Sequence, residues 1–98
     1  MKREIHITER AIKKYAKHLR EQERSASTVD NYIRGLRALL LYANGAALDK
    51  PKLLEYKSML NGRYKPSTVN VSVAAINSFL KYAGRSDLAL NPVRVQKN

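Results

Sequence analysis

From Val29 to Ala43 the apolar residues return every three or four positions, as Val29, Tyr32, Ile33, Leu36, Leu39, Leu40 and Ala43. A strand would alternate; this spacing covers one face of an α-helix. Ser27, a residue type that caps helix starts, precedes the stripe, and Asn44-Gly45, which favours the left-handed turn that ends helices, follows it. A chain of 98 residues has room for about one hydrophobic core. So strongly two-faced a helix needs partners of its own kind, and three more segments supply them.

The first runs from about Thr8 to Gln22, with Thr8 as cap and Ile12, Tyr15, Ala16 and Leu19 on one stripe. Asp49-Lys50-Pro51, a capping carboxylate with a proline suited to the first turn, opens a shorter helix expected to bury Leu53, Leu54, Tyr56 and Leu60 before Asn61-Gly62. Lys65-Pro66-Ser67 opens another, with Ser67 as cap and Val69, Val73, Ile76, Leu80 and Ala83 turned inward. The expected fold class is all-α, an orthogonal bundle of four to five helices built as two helix-turn-helix-like pairs. Residues 1–84 would form the domain. Residues 85–98, broken by Asn91-Pro92 and ending in Arg94, Gln96 and Lys97, read as a strand-like or irregular exit segment, a linker toward a further domain.

Charge narrows the partner. Lysines and arginines number 19 against 8 acidic residues, a formal net charge of +11. Because the cations are spread through the periodic segments and form no detached basic tail, nucleic acid is the expected polyanion. A membrane surface fits less well: there is no Trp and a single Phe, and the run Leu39 to Ala43 is too short to span a bilayer. No secretory signal opens the chain and it has no cysteine, in keeping with a cytoplasmic setting. Two isolated histidines and scattered carboxylates have no ligand spacing, so neither a metal nor an organic cofactor is expected.

A repeat links the second and fourth helices. Shifted by forty residues, Ser27-Thr28-Val29 meets Ser67-Thr68-Val69, Leu40 meets Leu80, and Tyr42-Ala43 meets Tyr82-Ala83. If both helix starts face one side, each offers free backbone N–H groups and the positive end of its dipole to the same anionic surface.

Across nearly its whole length the chain resembles the core-binding, or SAM-like, domain at the amino terminus of tyrosine recombinases of the phage-integrase type. The resemblance rests on Tyr15-x-x-x-Leu19, on SASTVDNYIRGLRALLLYANG and KPKLLEYKSML, and on YKPSTVNVSVAAINSFLKYAG with the closing LNPVRVQKN. It implies a SAM-like helical bundle forming half of a clamp around DNA, alongside other recombinase subunits, in a bacterial or phage-encoded protein. A separate catalytic domain then supplies the Arg, Lys, His-x-x-Arg and nucleophilic Tyr. Neither His6 nor His18 fits His-x-x-Arg, and the chain stops about where that domain would start, so this chain is expected to bind DNA, as a monomer when isolated, and not to cleave it. The six tyrosines read as core or boundary residues.

The resemblance also implies that the first turns of the second and fourth helices approach the major groove. That places Thr28, Asn31 and Arg34 from one, and Ser67, Thr68, Asn70 and Val71 from the other, at the interface. The residues agree in part: Asn31, Arg34 and Arg37 fall on the polar face of the second helix, where Asn suits adenine and Arg suits guanine. Lys13, Lys14 and Lys17 on the first helix, Arg63 and Lys65 before the fourth, and Arg94 and Lys97 in the exit are candidates for phosphate contact. Each alone reads equally well as a solvated cation, capping is the plainer role for Ser27 and Ser67, and Asp30 opposes a uniformly phosphate-facing start. Two alternatives stay open: a stand-alone helix-turn-helix regulator, and a helical module that meets an acidic protein.

Overall fold

Thr8 and Asp49 open helices as their side-chain chemistry dictates in the computed structural model, which describes residues 4–93. Helix α1, Glu9–Glu21, starts where Thr8 Oγ1 accepts the Ala11 N–H at 3.0 Å. Helix α2 spans Ala26–Ala43, and helix α3, Lys50–Arg63, starts where Asp49 Oδ1 accepts the Lys52 N–H at 2.8 Å. Helix α4 spans Pro66–Tyr82, and a single 3-10 turn follows at Ser86–Leu88. Among the described residues the β structure is one antiparallel bridge, in which the Leu48 N–H donates to the Ile5 carbonyl at 2.7 Å. The chain is all-α, as its periodicity requires.

Two expected caps move upstream. Helix α2 is capped by Ser25, not Ser27: Ser25 Oγ accepts the Thr28 N–H at 3.2 Å, and Ser27 lies inside the first turn. The end of α1 decides this. The Glu23 N–H bonds to the Arg20 carbonyl and the Arg24 N–H to the Leu19 carbonyl, with Glu23 left-handed at φ 59°. That six-residue closure, the Schellman motif, leaves the chain extended by Ser25. Helix α4 starts at Pro66 instead of after Ser67, and no side chain caps it. Proline restricts Lys65 to extended backbone and, having no N–H to satisfy, presets its own φ for the first helical position. The forty-residue repeat survives at the helix starts, where Ala26 corresponds to Pro66 and buried Val29 to buried Val69. It fails at the ends, for Ala43 is buried and Ala83 exposed.

The apolar stripes close one core. Ile12, Tyr15, Ala16 and Leu19 of α1, Val29, Leu36 and Leu39 of α2, Leu53, Tyr56 and Leu60 of α3, and Val69, Val73, Ile76 and Leu80 of α4 are all buried. Leu54, expected inside, is 48% exposed, because it is rotated by about 100° from Leu53. Ala83, also expected inside, lies beyond the last turn of α4 and is exposed. Ile5, Ile7, Leu48, Leu88 and Leu90 complete the core from segments without helical period. Residues 86–93 therefore remain part of the packed body: Leu88 and Leu90 are buried, and Val93 packs against the core.

Helices α2 and α4 share the most extensive helix contact, with α1 against α2 and α3 against α4. Where α2 crosses α4, Gly35 faces Ala75 and Ser72, and a Cβ on Gly35 would stand 3.6 Å from that of Ala75. Tyr15, fully buried, joins α1 to α4: its hydroxyl donates to Ser78 Oγ and its ring meets Phe79 edge-on at 5.6 Å. Tyr56 ties α3 to α2 through the Tyr42 ring at 4.9 Å.

Two predictions follow from this packing. A glycine inside a helix is less favourable than alanine by roughly 0.5–1 kcal/mol, and the space beside Gly35 admits one methyl group at ordinary contact distance. Gly35→Ala is expected to raise stability by about that amount in urea unfolding, whereas Gly35→Leu forces the helices apart and lowers it by about 1–3 kcal/mol. Burial pushes the phenols of Tyr15 and Tyr56 above their ordinary value, the Ser78 hydrogen bond opposing this in part for Tyr15. Below pH ~10 these phenols are neutral in both states and contribute no slope; above it the unfolded tyrosines ionise first, so stability falls until the folded phenols ionise too. Urea midpoints that stay constant from about pH 9 to 11 would contradict this.

Candidate nucleic-acid interface

The α2–α4 crossing leaves a groove of about 350 Å³ on the side of the two helix starts. Asn31 and Arg34 of α2 line one wall and Thr68 and Val71 of α4 the other, with Gly35 at the crossing and Tyr64 at the α3–α4 turn. These walls arise from register. Helices that begin forty residues apart and cross about two turns further on bring the exposed residues before the crossing together. The surface mixes character: Val71 is 47% exposed and Tyr64 51%, beside the Asn31 amide and the Arg34 guanidinium. Hydrogen-bonding groups beside an exposed valine suit base edges, since an apolar side chain can pack on a thymine methyl.

A second groove, about 420 Å³, runs between α1 and α2 and is lined by Lys13, Arg20, Arg34 and Arg37 with Asp30 among them. Arg34 lines both grooves and stands on the ridge between them. Arg37 is not a free cation: its Nη2 lies 2.9 Å and its Nε 3.2 Å from Glu9 Oε1. The exposed lysines of α1 divide. Lys13 faces the second groove, while Lys14 and Lys17 border a depression with His18, Glu21 and Tyr82.

The remaining candidates scatter. Thr28 Oγ1 accepts the Ser25 hydroxyl at 2.9 Å, within the α2 cap. Ser67 is exposed in the first turn of α4, Arg63 ends α3, and Lys65 immediately precedes α4, both exposed. Asn70 is half-buried and both ends of its amide are engaged by the Val93 backbone, so it does not present a free amide edge to the groove. Arg94 and Lys97 lie outside the described residues. Arg20 was not among the expected contacts; its spacing of seven from Lys13 would have placed it on the same side of α1.

The chain matches the family described as "Phage integrase, N-terminal SAM-like domain" over residues 12–87. It belongs to that family. No curated protein and no solved structure matches it. The matched span takes in all of α2, α3 and α4 and most of α1, so both walls of the Asn31–Val71 groove lie within the integrase SAM-like domain. That domain is the amino-terminal part of integrases and does not carry their catalytic residues. No helix among the described residues is long and apolar enough to cross a membrane.

Because the Arg37–Glu9 pair of this SAM-like domain is solvent-exposed on both sides, screening leaves it little net energy. A double-mutant cycle between Glu9→Ala and Arg37→Ala is expected to give a coupling below about 1 kcal/mol. A larger coupling in urea unfolding would mean that the pair carries the α1–α2 packing.

Proposed function

We propose that this domain grips double-stranded DNA for a phage-integrase-type tyrosine recombinase, contacting the core recombination site and positioning it for strand exchange by a catalytic domain. The observation that carries this reading is the convergence of Asn31, Arg34, Thr68 and Val71, from two helix starts in repeat, onto one groove of a chain with net charge +11. Each helix N-terminus adds a partial positive charge directed outward. Arg34 and Asn31 act as base-reading side chains, with Thr68 and Val71 opposite them. Lys13 and Arg20 serve the phosphates beside the second groove, and Lys14, Lys17, Arg63 and Lys65 add to the field that draws the duplex in. The domain acts on DNA in the cytoplasm of a bacterial host, and the carboxyl-terminal exit joins it to the catalytic half.

The test is a duplex titration followed by residue-resolved NMR at two salt concentrations. Shifts clustered at residues 27–37 and 63–74 support the reading, and shifts confined to the termini, or none at low salt, end it. With roughly four to six phosphates neutralised, log affinity against log salt should have a slope of about −4 to −5. Arg34→Ala is expected to change the preference among duplexes, whereas Lys14→Ala weakens all of them alike and flattens the slope by about 1. A stand-alone regulator would show the same shifts without need of a catalytic partner, and a protein-interaction module would bind no duplex at all.

A further inference from the structure

Beyond the 3-10 turn the chain doubles back along α3 and α4, and side chains on both helices bond to its backbone. Asn77 Nδ2 donates to the Leu90 carbonyl at 2.8 Å, and the Leu90 N–H donates to Asn77 Oδ1 at 2.7 Å. Two turns closer to the start of α4, Asn70 Nδ2 donates to the Val93 carbonyl at 2.8 Å, and the Val93 N–H donates to Asn70 Oδ1 at 2.6 Å. From α3, Lys50 Nζ donates to the Ala89 carbonyl and Lys57 Nζ to the Asn91 carbonyl. Each asparagine thus takes the N–H and the C=O of one residue, the double exchange that a residue of an antiparallel neighbouring strand would offer.

The spacing explains why the pairs stay in register. Asn70 and Asn77 are seven residues apart, about 10 Å along a helix. Ala89, at φ −56° and ψ 143°, has polyproline-II angles. Pro92 fixes its own φ and restricts Asn91 to extended backbone. Such a chain repeats every three residues and advances about 9 Å in doing so, which brings residues 90 and 93 to the same face at the separation of the two asparagines.

The strap runs toward the start of α4, and its last described residue, Val93, is held by the residue next to Val71 in the groove wall. Building on the DNA-binding reading above, we propose that Asn70 and Asn77 are positioning residues: they clamp residues 90–93 so that the chain leaves the domain beside the DNA-facing end of α4. Asn70 is then not a base reader. A two-bond contact with adenine needs the same amide edge, oxygen and one N–H together, that Val93 occupies. Base contact falls to Arg34, Asn31, Thr68 and Val71.

The test compares Asn70→Ala with Asn70→Asp in the 98-residue chain, by amide hydrogen exchange and by affinity for a panel of duplexes. Aspartate keeps the acceptor for the Val93 N–H and loses the donor. In Asn70→Ala the Val93 amide should exchange roughly five- to tenfold faster while Leu90, held by Asn77, keeps its rate; in Asn70→Asp the Val93 amide should stay protected. Neither variant should reorder the duplexes by affinity. An unchanged Val93 rate in Asn70→Ala, an equal loss of protection at all amides, or a reordered panel overturns the proposal. If the unaltered chain binds no duplex, the DNA reading fails by itself, and the exchange rates still decide whether the clamp exists. If Asn70→Ala does not fold, Asn77→Ala serves in its place, with Leu90 as the amide that must lose protection and Val93 as the control.

Discussion

The crossing of α2 over α4 at Gly35, Ala75 and Ser72 is the constraint on which the other contacts depend. Small residues at a crossing let two helices approach closely, and the large side chains on either side then fill what remains. Here Val69, Val73, Ile76 and Leu80 lie on the inner side of α4, and Val29, Leu36 and Leu39 on that of α2. On the outer side the crossing leaves space, and the groove occupies it. Core and candidate interface are thus two faces of one packing decision.

The other two helices are held to that pair by aromatic residues. Tyr15 reaches from α1 to Ser78 and Phe79, and Tyr56 from α3 to Tyr42. Both phenols are buried, so each contributes a large apolar surface, and Tyr15 satisfies its hydroxyl within the protein. The consequence for the surface is that α1 brings Lys13 and Arg20 alongside Arg34, while α3 delivers Tyr64 to the end of the other groove.

Much of this was legible in the order of residues. A stripe with a period near 3.6 has few physical solutions, which is why the four helices and most of their inward residues, from Ile12 to Leu80, could be read directly. The caps at Thr8 and Asp49 were legible because no competing residue stands near them. Ser27 and Ser67 misled because each sits two residues inside a start that was decided elsewhere, by the closure after α1 in one case and by Pro66 in the other. Leu54 misled because α3 packs on the core through the narrow stripe of Leu53, Tyr56 and Leu60, and a turn of about 100° from Leu53 carries Leu54 off it. Ile5, Ile7, Leu88 and Leu90 lie outside any helical stripe and become core only through long-range packing. Of the expected site, Asn31, Arg34, Thr68 and Val71 meet in one groove. Asn70 shares their part of the sequence, but its partner lies twenty-three residues further on, beyond what local spacing can reveal.

The closures after α1 and α4 have the same hydrogen bonds, the Arg24 N–H to Leu19 and the Arg85 N–H to Leu80, but different residues in the left-handed position, Glu23 and Gly84. A glutamate there is strained once the helix has formed, and the strain belongs to the native state. A glycine is relaxed there, but free in solution it samples far more conformations, so its penalty belongs to the unfolded chain. One turn geometry, used twice, therefore places its cost on opposite sides of the folding equilibrium, and only the first could be relieved by exchanging a single side chain.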